Sequence, residues 1–118
     1  MPLHLVDKLM GDVLVVDARG RLTLGRETEV LRQRLKDVVE SGQKQIVLDL
    51  SGVDYIDSAG LGTLVAGAAS VRRAGGELKL ANLTERVRGL MQITRLSILF
   101  EVYDNLEKAR LSFGSPLI

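Results

Sequence analysis

Along the chain, apolar side chains recur at every second residue, then at every third or fourth, then in short unbroken runs, and these changes of period mark out the elements. Leu3 to Leu9 and Val13 to Ala18 are apolar-rich and separated by Met10-Gly11-Asp12, which predicts an antiparallel hairpin. Gly20-Arg21-Leu22-Thr23 leads to Gly25. From Arg26 to Ser41 the apolar positions Leu31, Leu35, Val38 and Val39 share one helical face, Glu27 and Glu29 occupy the first turn, and Gly42 closes the end. Ile46, Val47, Leu48 and Leu50 form a nearly continuous apolar run, the pattern of a central parallel strand covered on both faces.

A turn is expected from Ser51 to Asp57, followed by a helix from Ser58 to about Ala74, with Leu61, Leu64, Val65, Ala68 and Ala69 at helical spacing. Gly75-Gly76 stops it. Glu77 to Leu83 alternates and reads as a strand with Leu78 and Leu80 inward and Glu77 and Lys79 outward. Thr84 is placed to cap a helix carrying Val87, Leu90 and Met91. Ile98 to Tyr103 supplies a last short strand, and Asp104 with Glu107 resembles a capping box for a terminal helix to about Leu111. The expectation is a single α/β domain over residues 1–112, with a mixed, mostly parallel sheet of about five strands and about four helices. Residues 113–118 read as a loose tail.

Composition narrows the chemistry. The 118 residues suffice for one core, and an apolar fraction of 46% with 26% charged residues is that of a soluble globular protein. With no cysteine and only His4, thiol chemistry, disulfides and histidine metal clusters are excluded. The longest uncharged stretch, Ser58 to Val71, has 14 residues and is too short to span a bilayer. The N-terminus lacks the pattern of a signal peptide, so a cytoplasmic protein without membrane insertion is expected.

The net charge is +1, but residues 1–60 carry 8 basic and 10 acidic side chains against 8 and 5 in residues 61–118. The most basic segment holds Arg72, Arg73, Lys79, Arg86, Arg88 and Arg95. It contains no aromatic stacking platform for single strands, and it reads as a solvated face in preference to an anion or acidic-partner site.

The stretch from Ile46 to Gly62 carries the chemistry. Ser58 stands where a helix opens, where its oxygen could cap free amides and where a phosphate would also be well placed. The residues alone leave both readings open. Ile56-Asp-Ser-Ala-Gly60 lacks the first glycine of a hydrolase elbow and has only His4 as a base. Gly60-Leu-Gly-Thr-Leu-Val65 lacks the third glycine of a dinucleotide fingerprint, and Gly62-Thr-Leu-Val-Ala-Gly67 lacks the Lys of a P-loop. Asp49, Asp54 and Asp57 could be drawn as a magnesium cluster, although turn aspartates more commonly bond local amides. No cofactor and no self-sufficient enzyme emerge.

Val53-Asp-Tyr-Ile-Asp-Ser-Ala-Gly-Leu-Gly-Thr-Leu64 resembles the signature of the anti-sigma-factor antagonists, bacterial members of the STAS domain family. The resemblance runs from about Leu3 to Leu111. It implies that Ser58 is phosphorylated by a partner kinase that is itself the anti-sigma factor. It further implies that Asp57, Ala59, Gly60, Leu61 and Gly62 form the docking turn, and that a separate phosphatase restores binding. ATP would belong to the kinase. Two departures bear on partner choice. Thr23 stands where many members have an acid, and Ala59 replaces a second serine that often follows the acceptor. A constitutive adaptor of sensory, lipid-transport or transporter assemblies is the competing implication. Direct nucleotide binding near Arg72, Arg73 or Arg88 finds no support in the glycine patterns.

Overall fold

The computed structural model describes residues 2–114. Its elements are strand β1 (His4–Met10), β2 (Val13–Leu22), helix α1 (Arg26–Glu40), β3 (Gln45–Ile56), α2 (Ser58–Arg73), β4 (Glu77–Ala81), α3 (Glu85–Ile93), a 3-10 turn (Leu96–Leu99), β5 (Val102–Tyr103) and α4 (Leu106–Ser112). The five strands lie side by side in chain order, β1 antiparallel to β2 and every later pair parallel. The mixed sheet and its four α-helices agree with the expected architecture.

Alternation along the strands divides two cores. Val16, Ala18, Ile46, Leu48, Leu50, Leu78 and Leu80 face one way and are buried beneath Leu31 and Leu35 of α1, Leu64 of α2, and Val87 and Met91 of α3. Val13, Val15, Val47 and Ala81 face the other way, against Ala109 of α4. The central strand is therefore covered on both sides, as its nearly continuous apolar run predicts. A leucine so enclosed contributes roughly 1.5–3 kcal/mol of transfer free energy.

The strands depart from the expected bounds in instructive ways. β2 continues past Ala18 to Leu22, and β3 continues through the expected turn to Ile56, pairing Gly20 with Val53 and Leu22 with Ile56. Val53 and Ile56 are buried, so the extension is anchored by packing that outweighs the turn chemistry of Ser51-Gly52. Two extra residues on β3 are absorbed at register shifts between Asp17 and Arg19 and between Gly20 and Arg21. β4 stops at Ala81, because Asn82 adopts φ 59° and turns the chain. Of the strand expected at Ile98–Tyr103, Ile98 and Leu99 belong instead to the 3-10 turn, and only Val102–Tyr103 form a strand. The terminal helix is capped by Asn105, whose side chain accepts from the Lys108 amide at 2.8 Å, and not by Asp104, which pairs with Arg88 at 3.5 Å. Glu107 pairs with Arg110 instead of completing a capping box.

Lys79 is the sharpest correction. Expected on the solvent side of β4, it is buried beneath α4. Its ammonium donates to the Ser112 hydroxyl at 2.9 Å, meets Glu101 at 3.2 Å and lies 4.3 Å from the centre of the Phe113 ring. The alternation was real, but its second face is covered. Phe113 follows α4 and packs with that core. The rest of the tail expected to be loose, residues 115–118, lies outside the described residues.

Candidate functional site

The parallel ends of β2 and β3 deliver the chain to one edge of the sheet, where α2 starts. Asp57 is its N-cap: the carboxylate accepts from the Gly60 amide at 2.8 Å through Oδ1 and from the Leu24 amide at 2.9 Å through Oδ2. One side chain thus ties the start of α2 to the loop before α1. Those amides favour the charged form and hold the Asp57 carboxyl below the usual carboxylate range, with the Leu24 bond the larger cause and the Gly60 bond next.

This settles part of the ambiguity at Ser58. The capping task expected of a serine here is done by Asp57, one residue earlier. Ser58 is the first residue of α2, exposed to solvent, and its hydroxyl makes no hydrogen bond among the described residues.

The other residues of the signature divide sharply. Gly60 is buried, and a Cβ there would lie 2.3 Å from the Leu22 carbonyl oxygen and 2.8 Å from Ile56 Cγ2. Its lack of a side chain seats α2 on the sheet. Gly62, two residues on, is exposed and faces open space. Ala59 is half-buried beside the α1–α2 groove, its carbonyl accepting from the Thr63 hydroxyl at 2.9 Å. Leu61 is buried, and it also lines a groove on the other side of α2. Gly67 lets Leu35 of α1 approach, a Cβ there falling 2.5 Å from Leu35 Cδ1.

That second groove, between α2 and α3, is the feature of the site that sequence reasoning missed. It has a volume of about 550 Å³, and Tyr55, Leu61, Leu90 and Ile93 give it an apolar lining beside Ser58. Tyr55 is 43% exposed and Ile93 is 82% exposed. Leu24, tethered through its amide to Asp57, is 76% exposed at the same edge. Thr23, in the position where an acid is common, instead donates to Glu27 at 3.2 Å. Tyr55 lay within the matched segment, but nothing in the periodicity of α3 marked Ile93.

Asp49 and Asp57 bond local amides, the outcome favoured over a magnesium cluster. Asp49 is buried on the α4 face, where it accepts from the Ser51 amide at 3.0 Å and the Asn82 side chain at 3.3 Å. Among the described residues no group of three metal-binding side chains converges. The basic segment is likewise dispersed: Lys79 is buried, Arg88 is paired, Arg73 borders the α1–α2 groove, Arg86 borders the α2–α3 groove, and Arg72 lies near Gly75-Gly76.

The family model for the STAS domain matches residues 6–109. The chain belongs to the STAS domain family. It is 33% identical over 112 residues to BtrV of Bordetella bronchiseptica, a candidate anti-sigma factor antagonist, the alignment covering 95% of each chain. It is 40% identical over 73 residues to the anti-sigma-B factor antagonist of Bacillus subtilis, covering 62% of this chain and 66% of that one. A solved structure from Thermotoga maritima, also of a candidate anti-sigma factor antagonist, superposes with a TM-score of 0.84 at 26% identity over 92% of both chains. In this STAS domain the signature occupies the β3–α2 junction, with no helix long and apolar enough to cross a membrane among the described residues.

Proposed function

We propose that this STAS domain is a cytoplasmic anti-sigma-factor antagonist whose unphosphorylated form binds an anti-sigma factor with serine-kinase activity and so frees the sigma factor. The observation that carries this reading is the Ser58 hydroxyl: exposed at the first position of α2, unbonded among the described residues, and relieved of capping by Asp57. The similarity to the anti-sigma-B factor antagonist supports the choice of partner.

The chemistry follows from that position. The partner kinase transfers the terminal phosphoryl group of its ATP to the Ser58 oxygen; the hydroxyl proton passes to a base of the kinase and ADP departs. The chain itself contributes the nucleophilic oxygen and a rigid frame, and needs no cofactor. The product brings about −1.5 to −2 charges beside Asp57, at a surface otherwise small-sided and apolar. Partner acids or nucleotide phosphates brought against that charge are repelled. A loss of about 2.7 kcal/mol would weaken binding about 100-fold without refolding. A phosphatase reverses the step by hydrolysing the phosphoserine. The docking surface includes Ser58, Ala59 and Gly62 with the exposed Leu24 and Tyr55, while Asp57 and Gly60 hold its shape.

The test compares wild type, Ser58→Ala and Ser58→Glu as baits in an extract of the source organism. Captured proteins are identified by mass spectrometry, and affinities are then measured by calorimetry. Wild type and Ser58→Ala should retain an ATP-binding kinase that Ser58→Glu loses, with at least about a tenfold difference in Kd, corresponding to about 1.4 kcal/mol. Equal retention by all three would leave a constitutive adaptor in place of a switch.

A further inference from the structure

Arg86 is an arginine without a counterion. It stands in the first turn of α3 and lines the α2–α3 groove together with Ser58, and among the described residues it has no ion pair or hydrogen bond. Arg21, Arg26, Arg72, Arg73 and Arg95 are equally unpaired among the described residues, but of these arginines Arg86 alone lines the groove that Ser58 also lines. Arg32, Arg34, Arg88 and Arg110 each meet a carboxylate, at Glu29, Asp7, Asp104 and Glu107. Arg88 is only two residues away, but that spacing turns it roughly 200° around the helix, away from the groove and toward Asp104.

Among the described residues the charged groups lining the groove are Asp57, Glu85 and Arg86, so Arg86 is the one cation there. Both carboxylates oppose a further negative charge there. A phosphate on Ser58 would sit beside the ionised Asp57, which already occupies the Gly60 amide at the helix start. The N-terminus of α2 therefore cannot offer the phosphate its full complement of free donors, and a like charge is adjacent. A cation within the groove is what a dianion there requires, and a guanidinium can present two parallel N–H donors to phosphate oxygens.

We propose that Arg86 is the internal receptor for phosphate on Ser58, the phosphoserine and guanidinium closing over the mouth of the α2–α3 groove and covering its apolar lining at Tyr55, Leu61 and Leu90. This rests on Ser58 being the phosphorylated residue. Phosphorylation then acts in two ways at once, by adding charge and by masking the apolar surface that a partner would bury. In the unmodified protein the groove stays open, as it is in the structure, and Arg86 is free.

The contact can be tested apart from any kinase by inserting phosphoserine at position 58 during synthesis and titrating its ³¹P resonance with pH. The second phosphate pKa, ordinarily about 6, should be depressed in the wild-type background and rise by about one unit in Arg86→Gln. Arg86→Lys should fall between them. Arg88→Gln, which removes an equal charge from the far side of α3, should match wild type. Indistinguishable titrations for wild type and Arg86→Gln overturn the proposal, whether both are depressed or neither is. Because Arg86 is exposed, unphosphorylated Arg86→Gln should unfold at the wild-type temperature, so the titration reports the contact and not loss of fold. A clamped phosphoserine in a protein that still binds the anti-sigma kinase would sink the switch and leave the clamp standing. Loss of binding without a clamp would do the reverse.

Discussion

The two faces of the sheet solve the problem of burial differently. Beneath α1, α2 and α3 the contacts are apolar, and fit is set by shape: Gly60 must be a glycine because the Leu22 carbonyl occupies the place of a side chain. Beneath α4 the cover is one short helix, and the buried set includes Asp49 and Lys79, each satisfied by hydrogen bonds or an ion partner. A close-packed face punishes added atoms, whereas a face held by charge punishes lost partners. The candidate site stands on the first kind. The start of α2, the proposed docking turn, is consequently positioned by packing that a phosphate on Ser58 would not touch.

The contrast is broken most directly at Gly60. Gly60→Ala should destabilise the domain by about 3 kcal/mol in urea unfolding, because backbone of β2 must move to admit the methyl group. A neutral result would mean that the shape argument for this face is wrong. On the other face, Lys79→Ala should cost about 2 kcal/mol, a figure discounted because Glu101 is half exposed and water can replace its partner. Lys79→Met keeps the apolar stem under Phe113 and should recover much of that loss. Equal damage from both would place the contribution of Lys79 in its charge alone.

At the edge where the site lies, Asp57→Asn should lower the thermal midpoint and flatten its dependence on acid. The Asp57 carboxyl is depressed in the folded state by the Leu24 and Gly60 amides. Its contribution is thus complete above the ordinary aspartate value of about 4 and disappears as pH falls through the lower folded value. Wild type and Asp57→Asn should therefore converge in stability as pH is lowered. The smallest effect is expected at Gly62, where Ala meets open space and should stabilise α2 by about 0.5–1 kcal/mol while hindering the partner's approach.

Much of this organisation was legible in the residues. The nearly continuous run at Ile46 to Leu50 announced a strand covered twice, and the strand-to-helix passage at Ser58 pointed to the candidate site. What stayed hidden depended on neighbours distant in sequence. Alternation at Leu78-Lys79-Leu80 cannot say whether the second face is wet, and here α4 and Phe113 cover it. Asp57 and Ser58 both satisfy the rules for a cap, and the choice between them followed from where β3 ends, at Ile56 and not at Leu50. Ser51-Gly52 looked like a stop because its turn chemistry is local, while the pairing of Gly20 with Val53 is not. The α2–α3 groove has no linear signature, since it exists only once Ile93 and Leu90 lie beside Leu61.

The strand order has a consequence for how the chain is made. Because β1 to β5 are neighbours in space in the same succession in which they are synthesised, each strand after the first reaches the ribosome's exit with its pairing edge already waiting. No strand must be inserted between two others, and no early strand waits for a distant one. The sheet can grow by addition at one edge, and the residues of the β3–α2 junction are synthesised before those of β5 and α4.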